Sequence, residues 1–228
     1  MTFSIAARCQ RTGQIGVAAA TALQSVGKLV CHAIPNVGGC VSHALLNPYL
    51  AYDGLRLLKA GLSAQEALDR VIAVDPDAQE RQAGIVDNQG RAAGWTGSEN
   101  IPWAGQRAGR NFTTQGNRLA GPEVLDKVVE SLHATEHLTL AERLVLALEA
   151  GESVGGDTKG ETSANVMVFS EEEYPLCDIR VDEHEDPVAE LRRLYGVYLD
   201  VVLPKVQKIP KRGDIPRPDM SDLNSEAT

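Results

Sequence analysis

Apolar and polar residues alternate from the second position of the chain. Phe3 and Ile5 fall on one face of a strand, and Thr2, Ser4 and Ala6 fall on the other. Arg11-Thr12-Gly13-Gln14 is turn-like and residues 15–21 resume as a second strand, so the chain opens on a hairpin. Two more strands are expected over 29–33 and 39–44. The period then lengthens. Asn47-Pro48 opens a helix that Gly61 closes, and Ser63-Ala64-Gln65-Glu66 is a capping box for a second helix running to Val74, before Asp75-Pro76. Strands over 82–86 and 91–96 flank the turn Asp87-Asn88-Gln89-Gly90, and another spans 112–117.

Gly121-Pro122 starts a third helix, reaching Ala134. Thr139-Leu140-Ala141-Glu142 caps a fourth, which stops at Gly151. After a glycine-rich loop, strands are expected over 163–169 and 176–181, and Asp186-Pro187 begins a last helix that ends near Val202. Clustered strands around paired helices describe a layered α+β body with largely antiparallel sheets. Residues 1–203 form one domain on this reading. From Pro204 the character changes, because four of the 11 prolines lie in residues 204–228 among interspersed charges. That segment reads as a tail or an arm packing on a second copy, so a homo-oligomer is expected.

Composition narrows the function. The net charge is −9, a field that repels polyanions, so nucleic acid is not an expected partner. No apolar run approaches the roughly 20 residues that cross a bilayer, and MTFSIAARCQ lacks the pattern of a signal peptide. A cytoplasmic protein with no membrane partner is expected. Its four cysteines are then reduced packing thiols. Cys31-His32 with Cys40-x-x-His43 has the content of a zinc quartet but no C-x-x-C hook, and strand geometry points neighbours to opposite faces. No metal or cofactor is expected. Gly155-Gly156-Asp157-Thr158-Lys159-Gly160 lacks the spacing and ending of a nucleotide-binding phosphate loop.

The chemistry with most content lies at Thr2. A threonine hydroxyl needs a base, and a threonine that begins the mature chain carries one in its own α-amine, with a pKa of roughly 7.7–8.0. Removal of Met1, favoured by a small second residue, would expose it. The bland alternative is a common second residue on a strand. Ser42-His43 would be a different nucleophile and base, but no G-x-S-x-G elbow accompanies it.

Beyond these features, MTFSIAAR, the VAAAT strand, Leu46-Asn47-Pro48 and Arg81-Gln82-x-Gly84 resemble a bacterial and archaeal family, domain of unknown function 1028. So do Ile101-Pro102-Trp103-Ala104-Gly105, Gln115-Gly116-Asn117-x-Leu119-Ala120-Gly121, Gly155-Gly156-Asp157 and Asp186-Pro187-Val188-Ala189-Glu190-Leu191-Arg192-Arg193. The family is regarded as similar to N-terminal-nucleophile hydrolases. The resemblance implies a four-layer αββα sandwich, two antiparallel sheets between helical layers, and Thr2 as a nucleophile toward a small amide. Asn117, with Gln115 and Gly116, would offer donors to an oxyanion. Asp157 would hold the terminal ammonium. Ser4, Thr162 and Ser163 would bind the terminus or the substrate, although each of these groups could equally satisfy a turn or cap a loop. The chain departs from the family's pattern at Thr162 and near His43, where glutamines are expected. The competing reading is an inactive binding or scaffold protein that keeps Met1.

Overall fold

Strand β1 (Thr2–Arg8) is buried on both faces, which is why its residues are small or apolar. Phe3 and Ile5 point toward helices, and Ala6 points into an apolar layer shared with the opposite sheet. The computed structural model describes residues 2–217. After β1 come β2 (Ile15–Thr21), a one-turn helix α1 (Gly27–Val30), β3 (Cys31–Ile34) and β4 (Gly38–Ala44). Helices α2 (Tyr49–Lys59) and α3 (Ala64–Val74) follow, then strands β5 (Arg81–Asp87), β6 (Ala92–Thr96), β7 (Gly105–Gly109) and β8 (Phe112–Asn117). The chain continues through α4 (Glu123–Ala134), α5 (Leu140–Glu152), β9 (Ser163–Phe169), β10 (Cys177–Val181), α6 (Pro187–Val197) and α7 (Leu203–Val206).

These strands make two antiparallel sheets. One has six strands in the order β10-β9-β2-β1-β8-β7, and the other has four in the order β3-β4-β5-β6. Helices α4, α5 and α6 cover the outer face of the larger sheet, with Leu125, Leu144, Leu148 and Leu191 fully buried there. Helices α2 and α3 cover the smaller one. The expected four-layer α+β sandwich is the architecture. Between the sheets lies a thin layer of Ala6, Val17, Val41, Val86 and Met167. The sheets approach closely at Gly84, where a Cβ would lie 2.1 Å from Gln115 Oε1 and 2.8 Å from Thr113 Cγ2.

Three local details differ from the sequence expectation. Strand β7, Gly-Gln-Arg-Ala-Gly, has no apolar alternation because it is a half-exposed edge strand held by β8. Helix α5 runs one residue past Gly151, which sits mid-turn because a Cβ there would press on the Phe3 ring at 2.9 Å. The last helix does not stop at Val202. A π-helical turn over Tyr198–Val202 carries it into α7, and Ile209 O and Arg212 N then bond Tyr174 and Glu172 of the β9–β10 connection. Among the described residues no helix is long and apolar enough to cross a membrane.

Candidate active site

Register brings the polar ends of four strands into one line. Thr2 pairs with Thr21 of β2 and Asn117 of β8, and Thr21 pairs with Ser163 of β9. Cross-strand partners point to the same face, so Asn117, Thr2, Thr21 and Ser163 form a row at one end of the inter-sheet space. Gln115, Ser4, Ala19 and Asn165 form the next row inward. The smaller sheet answers with His43, Gln82 and Thr96, which are paired neighbours on β4, β5 and β6.

Hydrogen bonds join the two sheets in a determinable sense. Gln82 Nε2 donates to Gly116 O at 2.7 Å, Thr96 Oγ1 at 3.1 Å and Gly105 O at 3.2 Å, leaving its Oε1 as an acceptor for Asn117 Nδ2 at 2.8 Å. The other contact of Asn117 Nδ2 is His43 Nδ1 at 3.2 Å, which must therefore accept. The ring proton then resides on Nε2 and is donated to Ser4 Oγ at 2.8 Å. Gln115 Nε2 also donates to Ser4 Oγ, at 2.6 Å.

His43 is thus a donor to Ser4 and not its base. Burial pushes its pKa down to about 3, far below the ordinary imidazole value. Ser42 faces away and donates to Asn47 O at 3.0 Å, so the adjacent Ser42-His43 pair is no catalytic dyad. A checkable consequence is that the His43 ring stays neutral, with its proton on Nε2, between about pH 7.5 and 4.5. Nitrogen-15 NMR of the ring should show no titration in that window, and a midpoint near 6.5 would contradict this geometry. The sign of the linkage follows. The unfolded chain binds a proton here and the folded chain does not, so His43 makes the fold less stable as pH falls from about 6.5 toward 3.

Thr2 is 5% exposed, with its hydroxyl oxygen 3.0 Å from that of Thr21. Asp157 lies beyond the start of its strand. It bridges Leu119, two residues past Asn117, and faces the N–H of Ala22, one residue past Thr21. Strand β1 runs between those two flanking strands, so Asp157 occupies the position into which β1 would extend past Thr2. Its Oδ1 accepts from Lys159 N at 2.9 Å, while the buried Oδ2 has no hydrogen-bond partner among the described residues. Burial holds the carboxyl above the usual carboxylate range.

The structure therefore brings Thr2, Asn117 and Asp157 together. Ser4 and Gln115 lie beneath them, fully buried and bonded to each other, with Gly116 beside them contributing a carbonyl to Gln82. Ser163 and Thr162 hold the loop after β2. Ser163 Oγ donates to Leu23 O at 2.6 Å and accepts from Val26 N, and Thr162 N donates to Thr21 O at 2.6 Å. Gln82 is the participant that periodicity did not single out as chemical. Its signals were its place in the Arg81-Gln82-x-Gly84 motif and a long amide on an inward face otherwise made of Gly84 and Val86. Beside the row opens a cleft of about 280 Å³, lined by Asn117, Arg118, Asn100, Ile101, Ala44, Leu45 and the carboxylates Glu80 and Glu99.

The fold and this polar end define an αββα protein whose first strand terminates in a small inter-sheet site. The chain belongs to DUF1028, a family of unknown function whose profile matches residues 2–191. A crystal structure of a DUF1028 protein from Silicibacter pomeroyi is similar at 32% identity, covering 95% of this chain and 94% of that one, with a TM-score of 0.87. Anbu, an ancestral beta-subunit from Yersinia bercovieri, aligns over 95% of this chain and 99% of its own at 12% identity and a TM-score of 0.42. Comparison with proteins of curated function returned no match.

Proposed function

We propose that this protein is an N-terminal-nucleophile hydrolase that cleaves a small amide or peptide-like C–N bond through an acyl-enzyme on Thr2, after Met1 is removed. The observation that carries the proposal is the placement, in line with the start of β1, of the buried carboxylate of Asp157, whose Oδ2 has no hydrogen-bond partner among the described residues. An ammonium on Thr2 is the group such a carboxylate would hold.

In this mechanism the neutral α-amine of Thr2 takes the hydroxyl proton as Oγ1 attacks the substrate carbonyl carbon. The tetrahedral adduct collapses, the C–N bond breaks, and the Thr2 ammonium returns that proton to the leaving amine. Water then attacks the ester with the amine again as base, releasing the acid and restoring the hydroxyl. Thr21 orients the Thr2 hydroxyl through the 3.0 Å contact. Asn117 faces the cleft, and its amide reaches the developing oxyanion by exchanging its bond to His43. Ser4, Gln115 and Gln82 act beneath it by fixing that amide. The test is mass spectrometry of the mature protein incubated with a panel of small amides and activated esters. An acyl adduct on the peptide beginning with Thr2 is expected, and an adduct found only elsewhere would refute the assignment.

The same reading includes self-association through the C-terminal segment. Val197, Leu199, Val201, Val202, Ile209 and Ile215 are each 40% or more exposed there, an apolar surface suited to a second copy. Light scattering should give a multimer that becomes smaller when the chain is truncated after Leu203. A monomer at every concentration would remove this element.

A further inference from the structure

The opposite end of β1 carries a second cavity that the hydrolase proposal does not use. Thr2 and Arg8 are the two ends of the seven-residue strand β1, about 20 Å apart at strand rise. The cavity is about 410 Å³, and its polar wall holds four arginines, Arg8, Arg11, Arg110 and Arg143, with His133 and His137 beside them. Glu136 is the one carboxylate in the lining. In a chain with a net charge of −9 this is a local inversion of sign.

The four guanidinium groups lack the carboxylate partner that seven other arginines of this protein have. Arg56, Arg81, Arg91, Arg107, Arg180, Arg192 and Arg193 each form an ion pair with a carboxylate. None of the four cavity arginines does so among the described residues. Arg8 reaches the Asn111 amide oxygen, Arg11 reaches Leu138 O, and Arg143 reaches Leu132 O and the Cys9 side chain, with the Glu136 charge nearby. Arg143 is 9% exposed, and its Nε has no hydrogen-bond partner; the buried Nε of Arg8 has none either. A buried guanidinium N–H without an acceptor is costly, and an oxyanion in the cavity removes that cost. Cys9, on the same wall, shows the local field. Burial raises its thiol, yet hydrogen bonds from Thr12 and Arg11 together with the Arg11 charge bring it below the ordinary value. Phe112 and Leu132 give the cavity an apolar floor, with the His133 ring edge-on to Phe112 at 5.4 Å.

We infer that this cavity binds a small, multiply charged oxyanion, phosphate- or carboxylate-bearing, in the fork formed by Arg8, Arg110 and Arg143. Planar guanidinium groups present paired N–H donors in the geometry both oxyanions accept, and charge-assisted bonds are the stronger kind. The site is independent of Thr2, so its occupancy does not depend on Met1 removal or on catalysis.

The test is calorimetric titration of the full chain with inorganic phosphate and, separately, with citrate, accompanied by thermal unfolding with each. Saturable binding of at least one is expected, with a rise in melting temperature that weakens as salt is raised. Binding of one and not the other names the source. Arg110 is exposed, so Arg110→Gln should fold normally and weaken binding by about tenfold. Arg143→Met should abolish it, and Arg70→Gln, an exposed arginine outside the cavity, should leave it unchanged. Absence of saturable binding to both anions would overturn the inference. So would binding that Arg110→Gln and Arg143→Met leave intact while both variants remain folded by circular dichroism.

Discussion

Thr2→Ala is expected to reduce amide hydrolysis by about 10³-fold or more in kcat while leaving the fold unchanged. Alanine is also small, so Met1 removal proceeds and the α-amine remains. Only the attacking oxygen is lost. The variant also separates Thr2 from its neighbours, because Ser4 is fully buried and its oxygen already accepts from His43 and Gln115. The neighbouring Thr21 hydroxyl, 3.0 Å from that of Thr2, belongs to an internal residue and carries no α-amine of its own to act as base. The measurement is steady-state hydrolysis of whichever amide in the panel the wild type turns over. Activity in Thr2→Ala within a factor of about three of wild type would exclude the hydroxyl as nucleophile.

The second large effect is on stability. Gln82→Leu should destabilise the protein by about 4 kcal/mol, since it strands buried polar groups that each cost roughly 1–3 kcal/mol when unpaired. Gly116 O loses its 2.7 Å donor and Asn117 Nδ2 loses its 2.8 Å acceptor, both at the junction of the two sheets. Leucine is comparable in size, so the loss reflects unsatisfied polarity and not a cavity. Urea unfolding with an unchanged slope and a lower midpoint would report it. A change below about 0.5 kcal/mol would mean that water replaces the amide, and that the network is not what fixes Asn117.

The elements that local chemistry specifies were legible from the sequence. The capping box at Ser63 forms as written, with Glu66 bonded back to Ser63 N, and Gly61 ends α2 with φ +99°. The strands over 112–117 and 163–169 fall where alternation put them. Strand β7 was not legible, because an edge strand held by main-chain bonds needs no apolar side chains. Residues 29–30 read as strand yet close the short helix α1, since Val30 is buried against the inter-sheet layer by tertiary packing.

For the proposed site, Thr2 could be put forward from the sequence because its chemistry depends on one residue and its place in the chain. The alignment of Asn117, Thr2, Thr21 and Ser163 was not, because register across four strands joins residues up to 161 positions apart. The pairing of His43 with Ser4 likewise needs two sheets to meet face to face. A histidine in a strand shows neither its tautomer nor its partner until the opposing sheet is placed. The same holds for the cavity arginines, scattered from Arg8 to Arg143, whose gathering around one cavity appears only in three dimensions.

Catalysis by Thr2 requires the amine and the hydroxyl to belong to the same first residue. Intact-mass spectrometry of the purified protein tests that most directly. The expected mass is lower than that of the full sequence by one methionine residue, with a mature chain beginning at Thr2. A mass showing Met1 retained throughout would contradict it, and the αββα body would then stand as a binding protein without a nucleophile.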